Sequence, residues 1–249
     1  MVLDGCGPSV YPLLVLVGLN FLSVRAVEYV RKGFTAVKFG WGPFGQDQAL
    51  DRDHASAARE GLGPKVDFLI DVGCCWDAKT ALRREELLRP FRPAYIEEPL
   101  PPDDVAGYGV LSKASQTPIA AGDAESGVPA SERLIREGGV DLIQPDITRC
   151  GGLTGAVRIA NIANSCGRKL ANHCFKTNIS IAAALHLLAA IPNAYALEYC
   201  VAESPLRWET TAQKFPVVDG FVDVPQGPGL GIDLNPDTIG KYRLDRRSA

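Results

Sequence analysis

Short apolar runs alternate along the chain with longer segments whose apolar residues fall on one face. The strand-like runs cover 34–39, 66–71, 94–97, 118–122, 140–144, 169–173 and 194–198. Between them, helical patterning covers 26–32, 47–60, 77–89, 103–114, 129–137, 151–165 and 179–190. An earlier apolar stretch, 11–24, reads as a first strand running into the first helix. Turn formers punctuate the rhythm: Gly33, the 40–45 loop, Gly61 and Gly63, and the Gly151-Gly152 pair. Strands alternating with helices in this way imply parallel pairing through right-handed crossovers. The prediction is an α/β fold, a TIM-type (β/α)7β-like barrel over 1–214, with a doubly wound open sheet as runner-up. After Glu198 the rhythm stops. Segment 215–249, with Pro216, Pro225 and Pro228, is expected to be an irregular tail.

Six polar residues stand at the ends of these runs or just beyond them: Asp71, Glu97, Asp123, Asp146, His173 and Glu198. By subtraction they are 26, 26, 23, 27 and 25 residues apart, the length of a strand, a crossover helix and its loops. Closure of a barrel would gather all six at one rim. An open sheet offers no reason for polar residues at six separate strand ends. Acids there could instead cap the helices that follow. Three acids at consecutive strand ends, followed by an Asp and a His on the next two, favour a site over capping.

Composition narrows the function classes. Apolar residues make up 46% and charged residues 22%, ordinary for a globular domain with a substantial core. The net charge is −3, from 29 acids and 26 bases, and no Lys/Arg run is long enough to grip phosphates, so a nucleic-acid partner is not expected. No phosphate-cradling glycine motif occurs. Stretch 11–24 is too short to span a bilayer and follows Asp4 rather than a basic segment, so neither a membrane anchor nor a secretory signal is expected. Seven cysteines, an odd count without C-x-x-C spacing, read as reduced thiols of a cytoplasmic protein.

The candidate chemistry follows from residue type. Asp71, Glu97 and Asp123 can offer hard oxygen ligands from adjacent strands, which suits Mg2+, or Mn2+, better than zinc. His173 stands at a strand end, whereas His54 and His186 fall on helices. Asp146 ends the neighbouring strand, so a carboxylate can fix one imidazole nitrogen and raise the basicity of the other. Glu198, buried among acids and kept protonated, can donate to a developing oxyanion. Proton removal from carbon beside a carboxylate needs these parts.

Ile96-Glu-Glu-Pro99, Gln144-Pro-Asp146, Gly151-Gly-Leu-Thr-Gly155 and His173, in this order and spacing, resemble the mandelate racemase/muconate-lactonizing branch of the enolase superfamily. The resemblance runs from about Gly33 to Leu244. It implies Mg2+ held by Asp71, Glu97 and the Asp123 position, a His173–Asp146 dyad, and Glu198 as the acid of strand eight. It also implies a sugar-acid substrate, dehydration or epimerisation as the reaction, and a homo-oligomer assembled through the barrel helices.

Three departures matter. The family's strand-two motif, Lys-x-Lys, is here Lys38-Phe39-Gly40, so Lys38 keeps the first position and Gly40 replaces the second base. A racemase needs bases on both faces of the carbon; a dehydratase can use His173 alone, with Lys38 neutralising the substrate carboxylate or acting as a second acid–base group. The third ligand is usually Glu, which leaves Asp123 and, two residues on, Glu125 as alternatives. The family's N-terminal capping domain has no counterpart in this sequence, and segment 215–249 resembles the part that packs against that cap. The leading expectation is a Mg2+-dependent sugar-acid dehydratase, a lyase. The alternatives are a cycloisomerase or epimerase, and a catalytically inactive barrel.

Overall fold

The computed structural model describes residues 2–5, 19–41, 44–201 and 204–244, with side chains from Leu22 onward. In chain order the elements are β1 (Val2–Gly5), α1 (Leu19–Arg31), β2 (Ala36–Gly40), α2 (Gln48–Leu62), β3 (Asp67–Asp71), α3 (Ala78–Leu88), β4 (Pro93–Glu97), α4 (Val105–Ala114) and β5 (Ile119–Ala121). There follow α5 (Gly127–Arg136), β6 (Leu142–Ile143), α6 (Gly152–Ser165), β7 (Lys169–Leu170), α7 (Asn178–Ala190), β8 (Tyr199–Cys200), α8 (Pro205–Trp208) and α9 (Pro236–Tyr242). The strands are parallel in the order β7-β6-β5-β4-β3-β2-β1-β8. A bridge from Leu170 to Ala194 joins the two ends of that order, so the sheet closes on itself. The fold is a TIM-type barrel, as the alternation predicts.

Two strand positions differ from the sequence reading. The first strand is Val2–Gly5, and the described part of stretch 11–24, from Leu19, belongs to helix α1; residues 11–18 lie outside the described residues. Four residues are too few for hydrophobic patterning to flag, whereas a dense apolar stretch suits a packed helix face equally well. The eighth strand is paired at Tyr199–Cys200, just after the 194–198 run. Within that run Tyr195 N–H donates to the Leu170 carbonyl, and Glu198 N–H donates to the Asn172 side chain.

The period of two along each strand sorts side chains between two environments. Val37, Phe39, Phe68, Ile70, Ile96, Ile119, Ala121, Ile143 and Leu170 point outward into the main core against the helices. Ala36, Leu69, Tyr95, Ala120, Leu142 and Ala171 point inward and form a separate apolar floor. Burying each large side chain such as Leu69 or Tyr95 contributes roughly 1.5–3 kcal/mol. Two residues further along the strands, above that floor, come Lys38, Asp71, Glu97, Gln144 and His173. The same alternation that builds the floor therefore aims polar side chains at the C-terminal mouth, where barrel enzymes place their chemistry.

Helix caps come from other acids. Asp47 accepts from Ala49 and Leu50 N–H, Asp77 from Thr80 N–H, and Asp104 from Gly107 N–H. Asp71 and Glu97 are not needed for that task. Beyond Glu198, Phe215 is buried, and Val217, Val222, Val224, Leu230 and Ile232 pack against the main core. No helix among the described residues is long and apolar enough to cross a membrane.

Candidate active site

A cavity of about 410 Å³ opens at the C-terminal mouth of the barrel. Lys38, Asp71, Glu97, Asp123, His173 and Glu198 all line it. Asp146 supports it from behind His173. Glu125 does not line it; this half-buried side chain has Arg133 and Asp103 as its charged neighbours.

The register explains the pairing of the parts. Asp71 and Glu97 are partners across β3 and β4, and Asp146 and His173 form an isolated parallel bridge beyond β6 and β7. His173 Nδ1 thereby lies 3.1 Å from Asp146 Oδ2, while His173 Nε2 faces Asp123 Oδ2 at 3.4 Å. Asp146 Oδ1 accepts from Thr148 N–H and Oγ–H, each at 2.7 Å. Burial disfavours the Asp146 charge, but the hydrogen bonds from His173, Lys176 and Thr148 outweigh it and hold the carboxyl well below the usual range. The imidazole's own burial works against its charge. Glu198, the Asp146 hydrogen bond and Asp123 reverse this and lift His173 from 6.5 to about 9.

Across the cavity, buried Lys38 donates to Glu97 Oε1 and lies 3.4 Å from Glu198 Oε1 and 3.6 Å from Asp71 Oδ2. Its burial is more than offset by these three acids, which hold the ammonium firmly protonated. Gln144 Nε2 donates to the other Glu97 oxygen at 2.7 Å. Glu198 Oε2 accepts from Cys174 N–H at 2.5 Å, and burial raises its pKa. Burial also raises Asp71, reinforced by Glu97, and takes Asp123 up to about 8, reinforced by Glu98.

Sequence reasoning missed Glu98. Strand alternation sends it to the face opposite Glu97, yet it lines the cavity because its backbone enters the left-handed region at φ 41°. Its Oε1 accepts from Gly122 and Ala124 N–H at 3.4 and 3.3 Å, and Cys74 Sγ lies 3.1 Å from its Oε2. Burial and Glu98 push the Cys74 thiol far up, which makes it a poor nucleophile. Trp41 and Cys74, at φ 50° and 62°, also line the cavity. Three non-glycine residues in this region at one mouth are the backbone strain that functional sites carry. An acid doublet on an otherwise apolar strand was the available signal for Glu98.

Gly40 decides how many bases the site can hold. A Cβ built there would overlap the Asp71 carbonyl oxygen and Cβ. No side chain fits at that position unless β3 moves.

The chain matches the enolase C-terminal domain-like family over residues 22–238. The chain belongs to that family. Its relatives lie in the enolase superfamily, among acid-sugar dehydratases and mandelate racemase/muconate-lactonizing proteins. It is 29% identical over 231 residues to D-gluconate dehydratase of Thermoproteus tenax, covering 89% of this chain and 46% of the relative. It is 29% identical over 221 residues to D-galactarolactone cycloisomerase of Agrobacterium fabrum, covering 86% and 58%. With L-talarate/galactarate dehydratase of Salmonella typhimurium the identity is 34% over 187 residues, 75% of this chain and 45% of the relative. The chain thus spans about half the length of the curated relatives it matches. Among solved structures, a mandelate racemase/muconate lactonizing enzyme from Jannaschia sp. superposes with a TM-score of 0.88 at 27% identity, over 98% of this chain and 65% of that one. A racemase from Streptomyces coelicolor, solved with bound magnesium, superposes at 0.83 and 26% identity, over 97% and 62%.

The donor set suits a hard divalent cation. Asp71, Glu97 and Asp123 present only oxygen, and Glu98 adds a fourth carboxylate beside Asp123. The upward shifts of Asp71 and Asp123 show acids held together against desolvation and mutual repulsion, which a cation would relieve. Among the described residues, no three His, Cys, Asp or Glu side chains are drawn together as a finished metal cage. Lys38 stands between Asp71, Glu97 and Glu198 instead.

Proposed function

We propose that this chain carries the catalytic barrel of a Mg2+-dependent sugar-acid dehydratase. One observation carries the reading: a single imidazole, braced by Asp146, faces a cavity of acids in which Gly40 leaves no room for a second base. Asp71, Glu97 and Asp123 would hold the ion, with Glu98 available beside them and Mn2+ as the alternative metal. When bound, the ion supplies positive charge that makes the proton beside the substrate carboxylate more acidic.

The chain's own residues supply the rest. In its neutral form His173 takes the α-proton on Nε2 while Nδ1–H stays hydrogen-bonded to Asp146 Oδ2, so the imidazolium forms against a fixed carboxylate. Lys38 adds charge on the opposite side. Glu198, whose pKa burial raises, stands where its protonated form can donate a hydrogen bond to the enediolate oxygen. The proton held on His173 Nε2 then goes to the departing β-hydroxyl, which leaves as water. The enol that remains tautomerises to a 2-keto-3-deoxy acid.

Sugar-acid dehydratases among the relatives support this substrate class. The cycloisomerase relative supports a second outcome from the same first step, ring opening or epimerisation without loss of water. The test is incubation of aldonates and aldarates with the chain and Mg2+ in D2O. Formation of 2-keto-3-deoxy acids supports dehydration; solvent deuterium at the α-carbon without loss of water supports the second reading. Turnover that survives both EDTA and His173→Asn overturns the assignment.

A further inference from the structure

The cavity is electrically lopsided. Its depth holds Asp71, Glu97, Glu98, Asp123 and Glu198 against the single ammonium of Lys38. The wall beside His173 carries the opposite excess. Arg149 and Lys176 both line it, and their side chains remain 43% and 44% exposed. Lys176 Nζ lies 2.8 Å from Asp146 Oδ2 and 2.5 Å from Thr148 Oγ1. Arg149 Nη1 donates to the Asp123 carbonyl at 2.9 Å, and its Nε is 3.9 Å from Asp146 Oδ2.

Asp146 is thus the one carboxylate that these two cations share, and His173 draws on the same oxygen. Among the described residues no second carboxylate lies within ion-pair distance of either cation, so this wall carries an excess of positive charge. The proposed dehydration gives neither Arg149 nor Lys176 a contact with substrate; both stand beside Asp146, the partner of His173. A substrate whose reacting carboxyl end sits over Lys38 and whose α-carbon faces His173 has the rest of its carbon chain in the same cavity, which Arg149 and Lys176 also line.

We infer that Arg149 and Lys176 form an anion-recognition edge that selects sugar acids bearing a second anionic group at the distal end of the carbon chain. The inference rests on the sugar-acid reading of the cavity. A second carboxylate, as in an aldarate, and a terminal phosphate share the required chemistry. Charge-assisted contacts to a partly desolvated anion are among the stronger polar interactions, whereas the neutral hydroxyl of a simple aldonate gains little from two cations.

The test is binding, measured by calorimetry on the His173→Asn chain with Mg2+, so that nothing is consumed. Galactarate and galactonate differ only in a terminal carboxylate against a hydroxymethyl group. Galactarate is expected to bind at least tenfold more tightly. Adding Lys176→Met or Arg149→Met should shrink that ratio to within about twofold, whereas a merely structural role would weaken both ligands alike. A third probe, 6-phosphogluconate against gluconate, separates the sources: a preference there without one for galactarate assigns the edge to phosphate. Equal affinity for both members of each pair, no binding of any probe, or a ratio untouched by both substitutions overturns the inference. Should the ratio behave as expected while wild-type chain dehydrates no acid, the edge stands and the dehydratase reading falls.

Discussion

Replacing Asp146 by Asn removes one charge while leaving in place the atoms that orient His173. In the wild-type chain the imidazole is lifted from 6.5 to about 9. Burial opposes the lift, so Glu198, the Asp146 hydrogen bond at 3.1 Å and Asp123 produce all of it. The whole displacement corresponds to ~3.4 kcal/mol at about 1.36 kcal/mol per unit. A hydrogen bond to a charged group contributes about 1.5–3 kcal/mol and a neutral one about 0.5–1.5 kcal/mol. Exchanging one for the other removes roughly 1–1.5 kcal/mol, so His173 should fall by about one unit. The chain has only three histidines, which makes a titration followed by nitrogen-15 imidazole NMR in the presence of EDTA directly assignable. His54 and His186 serve as internal controls. Activity should fall on the order of 10²–10⁴-fold, because the amide no longer favours the tautomer that leaves Nε2 free. A wild-type His173 that titrates near 6.5, or one that does not move in Asp146→Asn, would refute the electrostatic account of the dyad.

Gly40→Ala should destabilise the fold by about 1–3 kcal/mol through overpacking against Asp71; an unchanged melting temperature would show that β3 yields freely there. Without metal, stability should fall as pH rises from 6 to 9. The folded chain holds protons on Asp123 up to about 8 and on His173 up to about 9, against ordinary values of 3.8 and 6.5, so the stabilisation is complete below those ordinary values and lost through the folded ones. Asp146, held low, stays ionised across that window and adds no slope. Thermal melts in EDTA check the direction, and a rise over the same range contradicts it. Saturating Mg2+ should raise the melting temperature by mass action and flatten this pH dependence, and Asp123→Asn should weaken both effects. A metal-induced shift as large in that variant as in the wild type would remove Asp123 from the ligand set.

Local patterning was enough to say which residues face inward. Ala36-Phe39 and Phe68-Asp71 alternate, so once Leu69 lies on the floor, Asp71 must lie above it on the same side. The near-even recurrence of strand-end polar residues likewise carried Asp71, Glu97, Asp123, His173 and Glu198 to one mouth, with Asp146 behind His173, because one βα unit advances the chain by one strand. The sequence could not say what happens past the last paired residue, where the period of two lapses and each loop sets its own backbone. Glu98 turns into the cavity through a left-handed φ, whereas Glu125 leaves it for Arg133 and Asp103. The lodging of Lys38 among three acids, the exclusion of any side chain at Gly40 by Asp71, and the sharing of Asp146 by His173, Lys176 and Arg149 are likewise tertiary facts. They depend on distances between separate strands and loops, which closure of the barrel fixes and no local pattern encodes.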